Sequence, residues 1–131
     1  MWFINIQKMA DRGVQLFDEM VIVDADASFG FSYSSVGTCM TLTKKRCASQ
    51  GYWCSMRGGT LSLQQMAALQ GIEHDWIDTE VAGISDYQFG AMIGNTMSVN
   101  VLSRLIPQAL YAAGLATKED VASMLLHSGC T

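Results

Sequence analysis

The placement of glycine and small polar residues in the second half of the chain constrains the fold most. Ser62 stands just before Leu63, Met66/Ala67 and Leu69/Gln70, which recur at helical spacing, and Gly71 follows them. A serine hydroxyl satisfies free N–H groups at a helix start, and a glycine takes the left-handed conformation that ends one. The spacing therefore predicts a helix over 63–70. Ser85 with Asp86 opens a second short helix, ended by Gly94-Asn95, where a positive φ is expected because Gly and Asn reach that region most easily. A longer helix is expected from about 98 to 113, stopped by Gly114, with Pro107 kinking or dividing it. Thr117-Lys118-Glu119-Asp120 is close to a capping box and opens a last helix that Gly129 stops. The C-terminal half therefore reads as helical.

The first 60 residues read differently. Phe3, Ile6, Met9/Ala10, Phe17 and Met20 recur at helical spacing and predict an amphipathic helix over 3–20, weakened by Gly13. Val21-Ile22-Val23-Asp24-Ala25 reads as a short strand that would put Asp24 and Asp26 on one face. Two carboxylates so placed suit acid–base work or a metal, but a solvated strand end is the favoured reading. Residues 27–60 have no helical period and read as loops and short strands, with Thr41-Leu42-Thr43 and Tyr52-Trp53-Cys54 the best strand candidates and Gly58-Gly59 a break. The expected class is α+β: a single domain or domain fragment over 1–131. Its parts are an N-terminal helix (1–20), short strands and loops (21–60), a helical stretch (61–115) and a C-terminal helix (116–131).

Composition narrows the function classes. Half of the 131 residues are apolar and only 15% are charged, which excludes a disordered chain. It also implies more apolar surface than a small monomer readily buries, and so a protein partner. The net charge of −4 argues against a free-standing nucleic-acid binder, since phosphate neutralisation supplies much of such affinity. The cations that could touch phosphate are Lys44, Lys45 and Arg46, with Arg57 nearby in sequence, though three adjacent cations equally suit a solvated loop. No apolar run approaches the roughly 20 residues needed to span a bilayer. The start lacks the basic region of a signal peptide. Cys39, Cys47, Cys54 and Cys130 form no C-x-x-C pair, so free thiols in an intracellular compartment are expected, nucleus and organelle both being compatible. Their spacings with His74 or His127 fit no standard zinc knuckle, and no metal is expected. His74, Asp75 and Cys54 form no nucleophile–base set. Of nine methionines, Met92, Met97 and Met124 fall on apolar helical faces and are expected to fill core.

Two segments carry more than composition. They are Gly59-Thr60-Leu61-Ser62-Leu63-Gln64-Gln65-Met66-Ala67-Ala68-Leu69-Gln70-Gly71-Ile72 and Gln88-Phe89-Gly90-Ala91-Met92-Ile93-Gly94-Asn95-Thr96-Met97-Ser98-Val99. In this order they resemble the last two conserved blocks of the DNA (cytosine-5) methyltransferases, Arg-x-Leu-Thr-x-x-Glu-x-x-x-Leu-Gln-Gly-Phe and Gln-x-x-x-x-x-Gly-Asn-Ser/Ala-Val/Met-x-Val. Thr41 to Arg46 and Gly51-Tyr52-Trp53 look like the stretch leading out of that family's target-recognition region. Leu110 to Leu115 resembles its closing helix. The resemblance covers roughly residues 21–115.

The departures are specific. Gly59 stands where the family has Arg, Gln65 where it has Glu, and Ala68 where Arg is common; Arg57 could compensate with a small shift of register. The family's nucleophile is a cysteine preceded by proline. Here Pro107 is followed by Gln108, and no cysteine follows a proline. Glu-Asn-Val is absent, and Phe29-Gly30-Phe31 lacks the second glycine of the loop that holds S-adenosylmethionine. The resemblance thus implies the C-terminal, non-catalytic part of such an enzyme, inactive alone and packed on a Rossmann-like methyltransferase domain. An obligate partner would supply the catalytic residues, and DNA would be reached through that partner. It also implies that Asn95, Thr96 and Met97 wall the S-adenosylmethionine pocket once the missing part is present. On this chain alone, Gly94-Asn95 as a helix end and Met97 as core is the simpler reading. The alternative function is a non-catalytic structural or linker subunit of a larger assembly, derived from a methyltransferase remnant.

Overall fold

Residues 2–28, 33–73 and 75–127 are described by the structure, a computed structural model. The run Val21-Ile22-Val23 is apolar at every position, the pattern of a strand covered on both faces. It forms β1 (Val21–Asp24), which pairs antiparallel with β2 (Ser34–Val36) and β3 (Tyr52–Cys54); β3 pairs in turn with β4 (Gly59–Thr60). The sheet order is β2-β1-β3-β4. Ile22 lies opposite Cys54 and Val23 opposite Trp53. Because side chains alternate along a strand, Ile22, Tyr52 and Cys54 share one face while Val21, Val23 and Trp53 share the other.

Helices cover both faces. α1 (Trp2–Asp11) lays Ile6 and Met9 over Val21 and Val23. On the opposite face α2 (Lys44–Ala48), α3 (Leu63–Leu69) and α4 (Asp86–Asn95) surround Ile22 and Tyr52 with Cys47, Met66, Phe89 and Ile93, all buried. The chain is an α+β domain with a four-stranded antiparallel sheet. α5 (Val99–Ala112) and α6 (Lys118–His127) follow and pack on each other, with Pro107 and Val121 buried. Met124 (43% exposed), Met92 (44%) and Met97 (65%) are surface residues rather than core; among the described residues Met9 and Met66 are the buried methionines.

The expected caps form. Ser62 accepts from the Gln65 N–H at 3.2 Å, and the Gln65 side chain returns a bond to Ser62 N–H at 2.9 Å. Ser85 and Gln88 form the same reciprocal pair at the start of α4, and Thr117 with Asp120 does so before α6. Gly71 has φ +77°. Gly129 and Cys130 lie outside the described residues.

Other expectations give way. The helix over 3–20 stops at Asp11, because Gly13 at φ +82° turns the chain; Phe17, placed on its apolar stripe, is 89% exposed. Thr41–Thr43 is not a strand. Tyr52 holds it instead: the phenol donates to the Thr41 carbonyl and accepts from Thr43 N–H, each at 3.0 Å. Lys44 to Arg46 belong to a one-turn helix rather than to a loop. Pro107 does not divide α5, which runs unbroken through it. The turn at Gly94-Asn95 is also absent: α4 continues to Asn95, neither residue has positive φ, and Thr96 in extended conformation ends the helix. Gly94 is required for another reason. A Cβ there would collide with the Thr43 carbonyl group and the Lys44 nitrogen, and one at Gly90 would lie 2.5 Å from the Cys47 carbonyl oxygen. The two glycines, one turn apart, let α2 lie backbone to backbone on α4.

Candidate functional site

The end of β1, the 39–43 stretch and α2 border an open cleft of about 750 Å³. α2 brings Lys45 and Arg46 to its wall, and Asp24 at the end of β1 meets Arg46. The Arg46 Nε lies 2.9 Å from one Asp24 carboxylate oxygen and 3.0 Å from the other, with side-chain exposures of 21% and 17%. Asp24 also donates its N–H to the Tyr33 carbonyl at 3.0 Å, which sets that 62% exposed ring at the same cleft. Asp26 lies beyond the strand end. Its backbone N–H donates to the Asp24 carboxylate at 3.2 Å, while its own carboxylate accepts a short hydrogen bond from the Ser49 hydroxyl, so the two carboxylates have different side-chain partners. A partly buried, Nε-anchored guanidinium is held in one orientation, unlike the exposed Lys44 and Lys45.

The four expected DNA contacts do not form one patch. Lys45 and Arg46 share the cleft and Lys44 is exposed beside them on α2, but Arg57 sits in the 3-10 turn Ser55–Arg57. There it borders a separate apolar pocket of about 420 Å³ with Met20, Met56 and Leu69.

Asn95, Thr96 and Met97 stand together where α4 ends. Asn95 is exposed, as is Met97 at 65%. The Thr96 hydroxyl donates to the Met92 carbonyl at 2.8 Å. Thr96 lines a groove of about 500 Å³ with Cys39, Thr41, Gln70 and Ser98. Gln70 organises this region. Its side-chain amide donates to the carbonyls of Ile93 (3.4 Å) and Thr96 (3.3 Å), and its own carbonyl accepts from Val99 N–H at 2.7 Å. Gly71 leaves room for the Asn100 side chain, which a Cβ would meet at 2.5 Å. The two segments singled out in the sequence are thus bonded to one another through Gln70, a role no local sequence signal gives.

Cys39 and Cys47 are not activated thiols. Burial, with Cys39 nearby, pushes Cys47 up to about 11, and burial with Cys54 nearby raises Cys39. A nucleophilic cysteine needs the opposite shift. Burial also raises the Tyr52 phenol. Among the described residues no three His, Cys, Asp or Glu side chains are grouped to hold a metal ion; His74, Cys130 and the His127 side chain lie outside them. Among the described residues no helix is long and apolar enough to cross a membrane. No protein-family model, curated protein or solved structure matches this chain.

Proposed function

We propose that this chain is the C-terminal, non-catalytic piece of a DNA (cytosine-5) methyltransferase, needing a partner chain for S-adenosylmethionine-dependent methyl transfer to C5 of cytosine. The observation that carries the reading is the Gln70 brace. The Leu69-Gln70-Gly71 and Gly94-Asn95-Thr96-Met97 segments, on which the resemblance rests, fold against one another rather than apart. In this reading the helical half packs on a Rossmann-like domain. Asn95, Thr96 and Met97 complete the wall of a methyl-donor pocket whose other residues come from the partner. Lys44, Lys45 and Arg46 face DNA, with Arg57 a separate contact.

The alternative, a structural or linker subunit of a larger assembly, is favoured by α5. Val101 and Leu105 (both 59% exposed) and Ile106 (49%) leave that helix with an uncovered apolar side. A helix apolar on more than one side is normally covered.

Affinity capture from the source cell, with mass spectrometry of the co-purifying chain, separates the two. A partner carrying Pro-Cys, Glu-Asn-Val and a glycine-rich cofactor loop supports the methyltransferase reading, and methyl incorporation into cytosine should then need both chains. A stable complex without such a chain supports the second. Incorporation by the pure 131-residue chain would overturn both.

A further inference from the structure

Charge sorts the concave sites of the described residues. The pocket beside Arg57 is apolar, and the pocket bordered by Glu73, Asp75, Asp78 and Asp86 is acidic. The cleft at Arg46 has two cations, Lys45 and Arg46, against the single carboxylate of Asp24. Its volume of about 750 Å³ falls in the range of small-molecule sites. Arg46 uses only Nε for Asp24; its two Nη groups make no hydrogen bond among the described residues. A guanidinium fixed at one nitrogen, with donors left at the others, is a preorganised receptor for an oxyanion, and Arg forks match phosphate geometry. Lys45, exposed on the same wall, adds a second cation. Tyr33 stands beside this pair because Asp24 binds both partners, Arg46 through its carboxylate and Tyr33 through its N–H. An exposed ring next to a phosphate receptor is a stacking platform for a base.

We infer that this cleft binds a phosphorylated nucleotide, with the phosphate on Arg46 and Lys45 and the base on Tyr33. The net charge of −4 favours a ligand of nucleotide size over a long polyanion, because the field of the whole chain repels extended phosphate backbones. The inference deepens the reading above, which places Lys45 and Arg46 toward DNA, and it takes the cytosine of the probes from that reading, although the cleft itself needs no partner chain.

The test is a titration of the full 131-residue chain, followed by NMR or calorimetry, with dCMP, deoxycytidine, inorganic phosphate and the single strand (dC)8. dCMP should bind roughly 10-fold more tightly than either deoxycytidine or inorganic phosphate, as each of those keeps only half of the recognition. Tyr33→Ala should weaken dCMP about 10-fold and leave inorganic phosphate unchanged. Lys45→Ala should weaken both. Arg46→Lys, checked for folding by circular dichroism, should weaken both while keeping the charge opposite Asp24. Tighter binding of (dC)8 than of dCMP identifies the ligand as a nucleotide within a strand; equal or weaker binding identifies a free nucleotide. Equal affinity for inorganic phosphate and dCMP, no saturable binding of any probe at millimolar concentration, or wild-type dCMP binding by Tyr33→Ala and Lys45→Ala together would overturn the inference. The methyltransferase reading would be untouched by such a failure, since its test is the identity of the co-purifying chain.

Discussion

Replacing Gly94 with alanine tests how α2 and α4 meet. The added Cβ would run into the Thr43 carbonyl group and the Lys44 nitrogen. These are backbone atoms, so no rotamer change relieves the collision and the two helices must separate. Overpacking of this kind costs about 1–3 kcal/mol, and a backbone obstacle belongs at the upper end. Alanine recovers about 0.8–1.0 kcal/mol because it is the better helix former. The net loss is about 2 kcal/mol, a fall in Tm of roughly 6–10 °C for a chain of this size. Urea unfolding followed by far-UV circular dichroism measures it. Gly59→Ala is the control, since a Cβ there meets nothing within 4 Å and φ is not positive; it should stay within about 0.5 kcal/mol of wild type. Gly94→Asn separates close approach from a left-handed turn. Asn tolerates left-handed backbone better than Ala, so a turn would make Asn the milder change. Close approach makes Asn at least as damaging. If Gly94→Ala unfolds at the wild-type urea midpoint, or if Asn is the milder substitution, the account of this helix contact is wrong.

Four further outcomes follow from single observations. Ser62→Ala and Ser85→Ala each remove a reciprocal cap and should each cost about 1 kcal/mol in the same urea assay. Gln50, at φ +51°, closes α2 in a conformation that side chains resist; Gln50→Gly should raise stability by about 0.5–1 kcal/mol after the entropy glycine adds to the unfolded chain. Cys47, fully buried and pushed up to about 11, should resist iodoacetamide at pH 8 until the chain unfolds, whereas part-exposed Cys39 should label before it by peptide mass mapping. Asp120 is held below its ordinary value of 3.8 by the Thr117 N–H and hydroxyl, so its help to α6 is present above that value and is lost as pH falls through the lowered one. NMR of the Thr117 amide between pH 5 and 2 should follow this loss, and Asp120→Asn should abolish the pH dependence.

What could be read in advance depended on how local the physics is. The starts of α3, α4 and α6 were legible because a cap is a bond between residues three apart. β1 and β3 were legible because their apolar runs are short and bounded. α2 was not, since one turn of helix over Lys44–Ala48 shows no period, and its place depends on glycines more than forty residues away. The error at Gly94 has the same origin. Glycine serves both for positive φ and for close approach; Gly90, four residues earlier on the same helix face, was the signal for the second use. At the site, the Lys44-Lys45-Arg46 run was plain in the sequence, but its separation from Arg57 and the anchoring of Arg46 by Asp24, a side-chain contact between α2 and β1 across 22 residues, arise from tertiary packing. Tyr33 stood in a stretch without period and gave no local signal.

Gln70 shows why the two halves of the resemblance have to be judged together. Taken singly, Leu69-Gln70-Gly71 is a helix end and Gly94-Asn95-Thr96 is another. In the fold the Gln70 amide satisfies carbonyls at the second end, those of Ile93 and Thr96, and its carbonyl takes the first N–H of α5. Removing that amide takes the side-chain donor from the partly buried Thr96 carbonyl, while the Ile93 carbonyl keeps the Thr96 N–H at 3.2 Å; one such loss is about 1–3 kcal/mol, and an exposed cap residue costs less. Gln70→Leu should therefore destabilise the chain more than Thr96→Ala, whose hydroxyl bonds only the exposed end of its own helix. Parity between the two in urea unfolding would mean that the brace carries no energy. The joining of the two segments would then no longer support reading them as one inherited unit.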